Sequence, residues 1–342
     1  MRARLLSFAL VLVLSLSALT GCADKKEPHA ERFYEYFDTV SVIYSYAGDT
    51  EEVFRANSDA AKELLFEYHR LFDIYFEYSG INNLCTVNKN AGIAPVSVDE
   101  RLMDFLEYAI EICKKCDLEI NIAMGSVLSL WHDARTSGSG QLPDTTVLNE
   151  AAKHTDIDAI IIDREAGTVY INDPDLSIDV GAVGKGYAVM KAAELLIERG
   201  ANGYVIDVGG NIRVIGTKPD GNGWITGITD PDGDSSSLAA RIMISDTSCV
   251  TSGDYERYYT VDGIDYHHII DRDTLMPARY FSSVSVVCRD SALADALSTA
   301  LFCMPKEEGM ALLSSFDGVE AMWIYPDGRA ETTDGFAKMQ ID

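Results

Sequence analysis

The sequence predicts an α+β fold on a mainly antiparallel sheet, and three observations lead there. Short runs rich in β-branched and aromatic residues follow one another from Tyr204 to Cys288 with few helices between them. Tyr258–Val261 and Tyr266–Ile270 flank Asp262 and Gly263, a dipeptide that closes tight hairpins. No internal repeat and no clear linker divides the 342 residues. At roughly 150 residues per domain that length allows about two domains, and the missing linker favours one large unit. Hydrophobic residues are 47% and charged residues 24%, the balance of a folded globular chain. The 28 basic residues against 54 acidic ones give −26, which repels nucleic acid and anionic lipid. An anionic small molecule is still admissible, because a few groups or a metal ion can reverse the sign inside one cleft.

Arg2 and Arg4 precede an apolar run from Leu5 to Leu19. The run falls short of the roughly 20 residues of a bilayer span and suits the core of a signal peptide. It closes on Leu19, Thr20, Gly21 and Cys22, which resemble the lipobox of bacterial lipoproteins. The resemblance implies a cut after residue 21, a lipid on Cys22, and a protein anchored to the extracytoplasmic face of the cell membrane. An ordinary exported protein or an uncleaved anchor is the other reading, and both also place the chain outside the cytoplasm. Removal of residues 1–21 takes two arginines and no acid, leaving 26 basic and 54 acidic residues, or −28. Residues 22–30 then form a polar tether, and residues 31–342 the folded domain.

Phe37–Tyr46 reads as the first strand. Asp59–Tyr78 carries Leu64, Leu65, Tyr68, Leu71, Phe72, Tyr75 and Phe76 at helical spacing, and Asp99–Lys115 repeats the pattern. Cys113 and Cys116 form a C-x-x-C at the end of that second helix. No second C-x-x-C and no nearby His pair accompanies it, so it reads as structural. Residues 136–146, rich in Gly, Ser and Thr, read as a loop, and Ala159–Ile162 with Thr168–Ile171 as a strand pair. Leu176–Val180 reads as a strand, Gly181–Gly186 as a glycine turn, and Tyr187–Arg199 as a helix stopped by Gly200. Strands follow at Tyr204–Val208, Ile212–Ile215, Ile225–Ile228, Ala239–Ser245 and Ser283–Cys288, and a helix at Ser291–Met304.

Chemistry concentrates in three places. The loop from Asp179 to Tyr187 lets backbone approach a phosphate, whose charge a helix N-terminus and Lys185 can offset. It is not a Walker A loop, because two residues separate Gly181 from Gly184 and Gly186 follows Lys185. A purely structural turn is the other reading. Asp295 and Thr299 are four apart on one helical face and offer oxygen donors of the kind Mg²⁺ prefers, although the same pair also serves caps and solvated faces. His267 and His268 point to opposite faces of a strand, so one of them can face a cleft as base, anion ligand or structural histidine.

Taken in order, Asp179–Ala188, Asp207–Asn211 (DVGGN), Thr251–Arg257 (TSGDYER), His267–Asp271 (HHIID) and Asp295–Thr299 (DALST) resemble the ApbE family of FAD:protein FMN transferases. The resemblance runs from about Phe37 to the C-terminal region. It implies Mg²⁺-dependent phosphoryl transfer, with Mn²⁺ a substitute at an all-oxygen site. FAD is split, FMN joins a Thr or Ser of an acceptor protein, itself an exported or membrane redox protein, and AMP leaves. By the same resemblance Asp295, Thr299 and the main-chain oxygen of Ala182 hold the metal. Tyr75, Glu119, Ile120, Asn121, Asp179, Lys185 and Ile269 meet FAD, and His268 and Asp295 serve catalysis.

The chain departs from the family pattern in its N-terminal part. Phe37, Asp38 and Thr39 stand where Met, Gly and Thr are usual. Ser79, Gly80 and Ile81 replace Ser, Glu and Ile, and Cys85 replaces an asparagine. Ile120 and Asn121 stand where Phe and Asp are frequent. A pyrophosphatase that gives FMN to water and a lipid-anchored flavin binder without chemistry are the alternatives.

Overall fold

The computed structural model describes residues 28–342 except 35, 47, 235 and 236. The leader, Cys22 and most of the expected tether lie outside the described residues. Among the described residues no helix is long and apolar enough to cross a membrane.

An eight-stranded antiparallel sheet forms the middle layer. Its spatial order is β1 (His29–Phe33), β2 (Ser41–Ser45), β6 (Tyr204–Val208), β7 (Asn211–Ile215), β10 (Ser248–Gly253), β13 (Ser283–Cys288), β14 (Glu320–Ile324) and β15 (Ala330–Thr332). Period-two alternation builds two cores from these strands. Ile206, Val284 and Val286 point to the helical side, and Val205, Val287 and Ile324 to the other.

On the helical side pack α1 (Glu51–Phe72), α6 (Gly184–Glu198) and α7 (Ser291–Phe302). The opposite face is covered by the ribbon of β8 (Trp224–Thr229) and β9 (Leu238–Ile244) and by α9 (Asp334–Met339), through Trp224, Ile242 and Phe336. A smaller lobe holds α2 (Leu84–Lys89), α3 (Glu100–Lys115) and the three-stranded sheet β3 (Val96–Ser97), β5 (Thr168–Ile171) and β4 (Ile160–Asp163). Helices α4 (Gly125–Thr136) and α5 (Thr145–Ala151) pack through Val127, Trp131 and Leu148 against Ile270 and Leu275. The hairpin of β11 (Tyr258–Val261) and β12 (Ile264–His267) turns at Asp262 and Gly263, both at positive φ. Helix α8 (Lys306–Leu313) leads from α7 back into the sheet.

Several boundaries differ from the sequence reading. The sheet starts earlier, at His29, inside the expected tether. Phe37 and Asp38 form a turn at φ 56° and 51° rather than the start of a strand, and strand pairing begins at Ser41. Helix α1 starts at Thr50, whose side chain caps Val53 N–H, and stops at Asp73. Asp73 accepts the N–H groups of Tyr75 (2.7 Å) and Phe76 (2.9 Å), so Tyr75 lies outside the helix. Leu176–Val180 is extended but makes only a single bridge, Met124 to Ser177, because its N–H groups turn to loop partners such as Ile122 O and the Asn88 side chain. Gly184–Gly186 are the first turn of α6 rather than loop, and α5 begins within the stretch read as loop.

The crossing of α6 over α7 sets the site. A Cβ at Gly186 would stand 2.4 Å from Ser291 O and 2.5 Å from Asp295 Cβ, so only glycine allows this approach. Gly186→Ala is expected to lower stability by roughly 1–3 kcal/mol through overpacking, read as a fall in the urea midpoint at unchanged m-value.

Candidate active site

A cleft of about 550 Å³ opens between the helical side of the sheet and the lobe carrying α3 and α4. All of Tyr75, Glu119, Ile120, Asn121, Asp179, Ala182, Lys185, His268, Ile269, Asp295 and Thr299 line it. Residues scattered over more than 220 positions of sequence thus meet at one surface.

The floor is made by α6 and α7. Asp295 is 3% exposed, and its Oδ2 accepts the Gly186 N–H at 2.8 Å. Lys185 Nζ stands 3.9 Å from Oδ1. Burial pushes the Asp295 carboxyl up, and Lys185 and the Gly186 N–H oppose it. Ser291 Oγ lies 2.7 Å from Gly186 O and 3.1 Å from Asn211 Oδ1, so DVGGN buttresses the same junction. Thr299 Oγ1 lies 3.1 Å from Ser252 Oγ, on the TSGDYER strand. Asp295, Thr299 and Ala182 line the cleft together, and a carboxylate, a hydroxyl and a main-chain carbonyl are oxygen donors of the kind a hard cation takes. The Asp295 carboxylate and the lysine 3.9 Å from it balance in charge, so the match to such a cation lies in the oxygen donors themselves. These residues therefore fit Mg²⁺.

Beside the floor, α6 begins at Val183 with no side-chain cap. Its Gly184 N–H is taken by Val180 O at 2.8 Å and its Gly186 N–H by Asp295, so what the start of α6 adds to the cleft is the positive end of the helix dipole. Asp179 Oδ1 accepts the Gly181 N–H at 2.8 Å and fixes the loop before it.

The two histidines diverge, although β12 ends at His267 and His268 lies just beyond it. His267 is buried against Phe302 and pairs through Nε2 with Ala278 O at 2.8 Å. His268 faces the cleft, and its Nδ1 is buried without a hydrogen-bond partner. Burial lowers the His268 pKa to about 3, with Arg257 and Lys185 adding repulsion.

On the outer wall Tyr75 is 52% exposed and stacks on His132 at 4.8 Å. Its hydroxyl lies 3.1 Å from His132 Nδ1. Arg135 and Arg257 share this wall. Sequence reasoning missed His132 and Arg135, because α4 carries no motif of its own. Arg257 lay inside TSGDYER without being singled out. Cys113 and Cys116 are free and buried, with thiols pushed up to about 11 and about 12, in line with a structural C-x-x-C. Outside the cleft, His154, Asp173 and Asp175 group closely enough to hold an ion, and a 2.9 Å ion pair of His154 with Asp173 already occupies them.

The ApbE family model matches residues 38–323. The chain belongs to the ApbE family. An FAD:protein FMN transferase of Treponema pallidum is 35% identical over 266 residues, covering 74% of this chain and 73% of that one. The Vibrio cholerae protein of the same name is 29% identical over 308 residues, covering 89% of both. Among solved structures, the ApbE protein of Thermotoga maritima superposes with a TM-score of 0.81 at 27% identity over 92% of this chain and all of that one. Within the ApbE frame, the departure at Phe37–Asp38–Thr39 has a local account. Asp38 sits at φ 51°, a conformation that Asp tolerates better than most L residues, and the turn lies in the cleft wall.

A histidine whose folded pKa lies near 3 binds fewer protons than its unfolded form, of pKa about 6.5, so stability falls as pH drops from 6.5 toward 3. His268→Gln removes that component. The expected result is a shallower loss of urea midpoint between pH 6.5 and pH 4 than in wild type.

Proposed function

We propose that this protein transfers FMN from FAD to a Thr or Ser hydroxyl of an acceptor protein and releases AMP. The observation that carries the reading is the convergence of the five ApbE motifs on one cleft. In the transfer the acceptor oxygen bonds to the FMN phosphorus, the bond from that phosphorus to the bridging oxygen breaks, and AMP keeps that oxygen. The hydroxyl proton goes to a base.

Asp295, Thr299 and the Ala182 carbonyl would hold Mg²⁺, which supplies Lewis-acid stabilisation of pyrophosphate charge. Lys185 and the uncapped start of α6 place further positive charge beside the same phosphates. Tyr75, Ile120 and Ile269 bound the flavin with apolar and aromatic surface, while Glu119, Asn121 and Asp179 supply polar contacts. His268 is the base in this reading. It is neutral at pH 7, and an anionic substrate offsets the repulsion from Arg257 and Lys185, raising its affinity for the proton it accepts.

The leader supports export with a lipid on Cys22 and residence on the outer face of the bacterial membrane. The acceptor is then another exported or membrane redox protein. Cys22→Ser is expected to move the protein from the membrane pellet to the soluble fraction, and an unchanged distribution would overturn the anchor.

The deciding experiment incubates the full chain in detergent with FAD and Mg²⁺, with and without a domain bearing a Thr acceptor, followed by intact mass and nucleotide analysis. Expected are an FMN-sized gain on the acceptor and equimolar AMP, both lost on chelation. Free FMN with AMP and no gain would establish the pyrophosphatase instead. Asp295→Asn is expected to lower kcat/KM by about 10²–10³, the scale of losing one charge-stabilising group. Transfer at the wild-type rate would refute its assignment.

A further inference from the structure

The turn at residues 271–276 leaves the cleft wall directly after Ile270 and is held firmly on its own side. Asp271 Oδ1 accepts the N–H groups of Asp273 and Thr274 at 2.9 Å each. Leu275, at φ 58°, offers its carbonyl to the Trp131 indole N–H at 2.9 Å. From this anchored turn the Arg272 side chain crosses to the opposite wall. It donates to the main-chain oxygen of Asp117, and its Nη2 stands 3.2 Å from Glu119 Oε1.

The segment it reaches is strained. Asp117 and Leu118 both lie at positive φ, 49° and 61°, with no glycine to relieve them. Within this turn the Leu118 N–H returns to Cys113 O at 2.9 Å, closing α3. The next residues are Glu119, Ile120 and Asn121, which enter the cleft. Burial pushes the Glu119 carboxyl up, and Arg272 is the strongest influence opposing it.

We propose that Arg272 is a positioning residue for dinucleotide binding. It clamps the left-handed turn at Asp117–Leu118 and the Glu119 carboxylate to the wall carrying His268 and Ile269. The two walls are thereby set at a fixed separation before FAD enters. The inference rests on the reading of Glu119–Asn121 as FAD contacts and adds a residue that lies outside the cleft lining. A clamp of this kind acts on binding more than on the chemical step, because it pre-pays the ordering of one wall.

The test measures FAD dissociation by flavin fluorescence, and KM and kcat by AMP release, on the full chain carrying Arg272→Ala, Arg272→Lys, Glu119→Gln and the Ala/Gln double change. Expected for Arg272→Ala is a rise of about tenfold in Kd and KM, the scale of one hydrogen bond to a charged group, with kcat within about twofold. Arg272→Lys, which can reach the carboxylate or the carbonyl but not both, falls between. The double variant loses less affinity than the product of the two single losses, because part of what Glu119 contributes acts through Arg272. Wild-type affinity in a folded Arg272→Ala protein overturns the clamp, as does a double variant whose loss is the product of the single losses. Should Arg272→Ala unfold, a wild-type Kd in Arg272→Lys together with a weakened Glu119→Gln overturns it equally. If wild type binds FAD but moves no FMN, the transferase reading fails, while the clamp is still decided by the Kd values.

Discussion

The site depends on one contact, the Asp295 carboxylate against the Gly186 N–H where α6 crosses α7. A carboxylate taken out of water demands compensation. Here it receives a main-chain donor at 2.8 Å and a lysine at 3.9 Å. That arrangement exists only because Gly186 has no side chain, and it brings Lys185, one residue earlier, to the mouth of the same junction. The DVGGN turn completes it, since the Ser291 hydroxyl that meets the Gly186 carbonyl at 2.7 Å also lies 3.1 Å from Asn211 Oδ1. Motifs far apart in sequence are therefore parts of a single buried polar assembly.

Electrostatics explain how so acidic a chain can hold an anionic dinucleotide. The net −26 is spread over the surface, where many lysines and arginines pair with carboxylates, as in Lys62–Glu31, Arg164–Asp104 and Lys306–Glu331. The cleft departs from that pattern. Among the described residues Arg135 and Arg257 line it without an ion pair and Lys185 lies 3.9 Å from Asp295, although Asp38, Asp73, Glu119, Asp179 and Glu256 line it as well. The low pKa of His268 comes first from burial, and repulsion from Arg257 and Lys185 adds to it. Strain on the opposite wall, at Asp117 and Leu118, is stabilised by Arg272 and positions the polar segment that follows.

Much of this was legible in the sequence. Runs rich in β-branched and aromatic residues marked β6, β7, β8, β9 and β13, whereas β10 (Ser248–Gly253) was not read as a strand. Asp262 and Gly263 marked the hairpin, since few other pairs accept two successive positive φ values. The glycine loop, Asp295 and Thr299 stood out by residue type and spacing, His268 was singled out by the resemblance to the ApbE family, and all of them line the cleft. The turn at Phe37–Asp38, the N-terminal half of α1 and helix α5 were misread. Their conformations are decided by caps and tertiary partners, as where Thr50 starts α1 and Asp73 stops it, rather than by periodicity.

By itself, the sequence determined the fold class, the acidic balance of the chain and the identity of the motifs that line the cleft, because each is a matter of local pattern or residue chemistry. Only the tertiary structure decided what those motifs do to one another. Which histidine faces the cleft, how deeply Asp295 is buried, and the reach of Arg272 to Asp117 and Glu119 all depend on distances between residues remote in the chain. Burial and partner distance set the charge state of a carboxylate or imidazole, and neither quantity exists until the chain is folded.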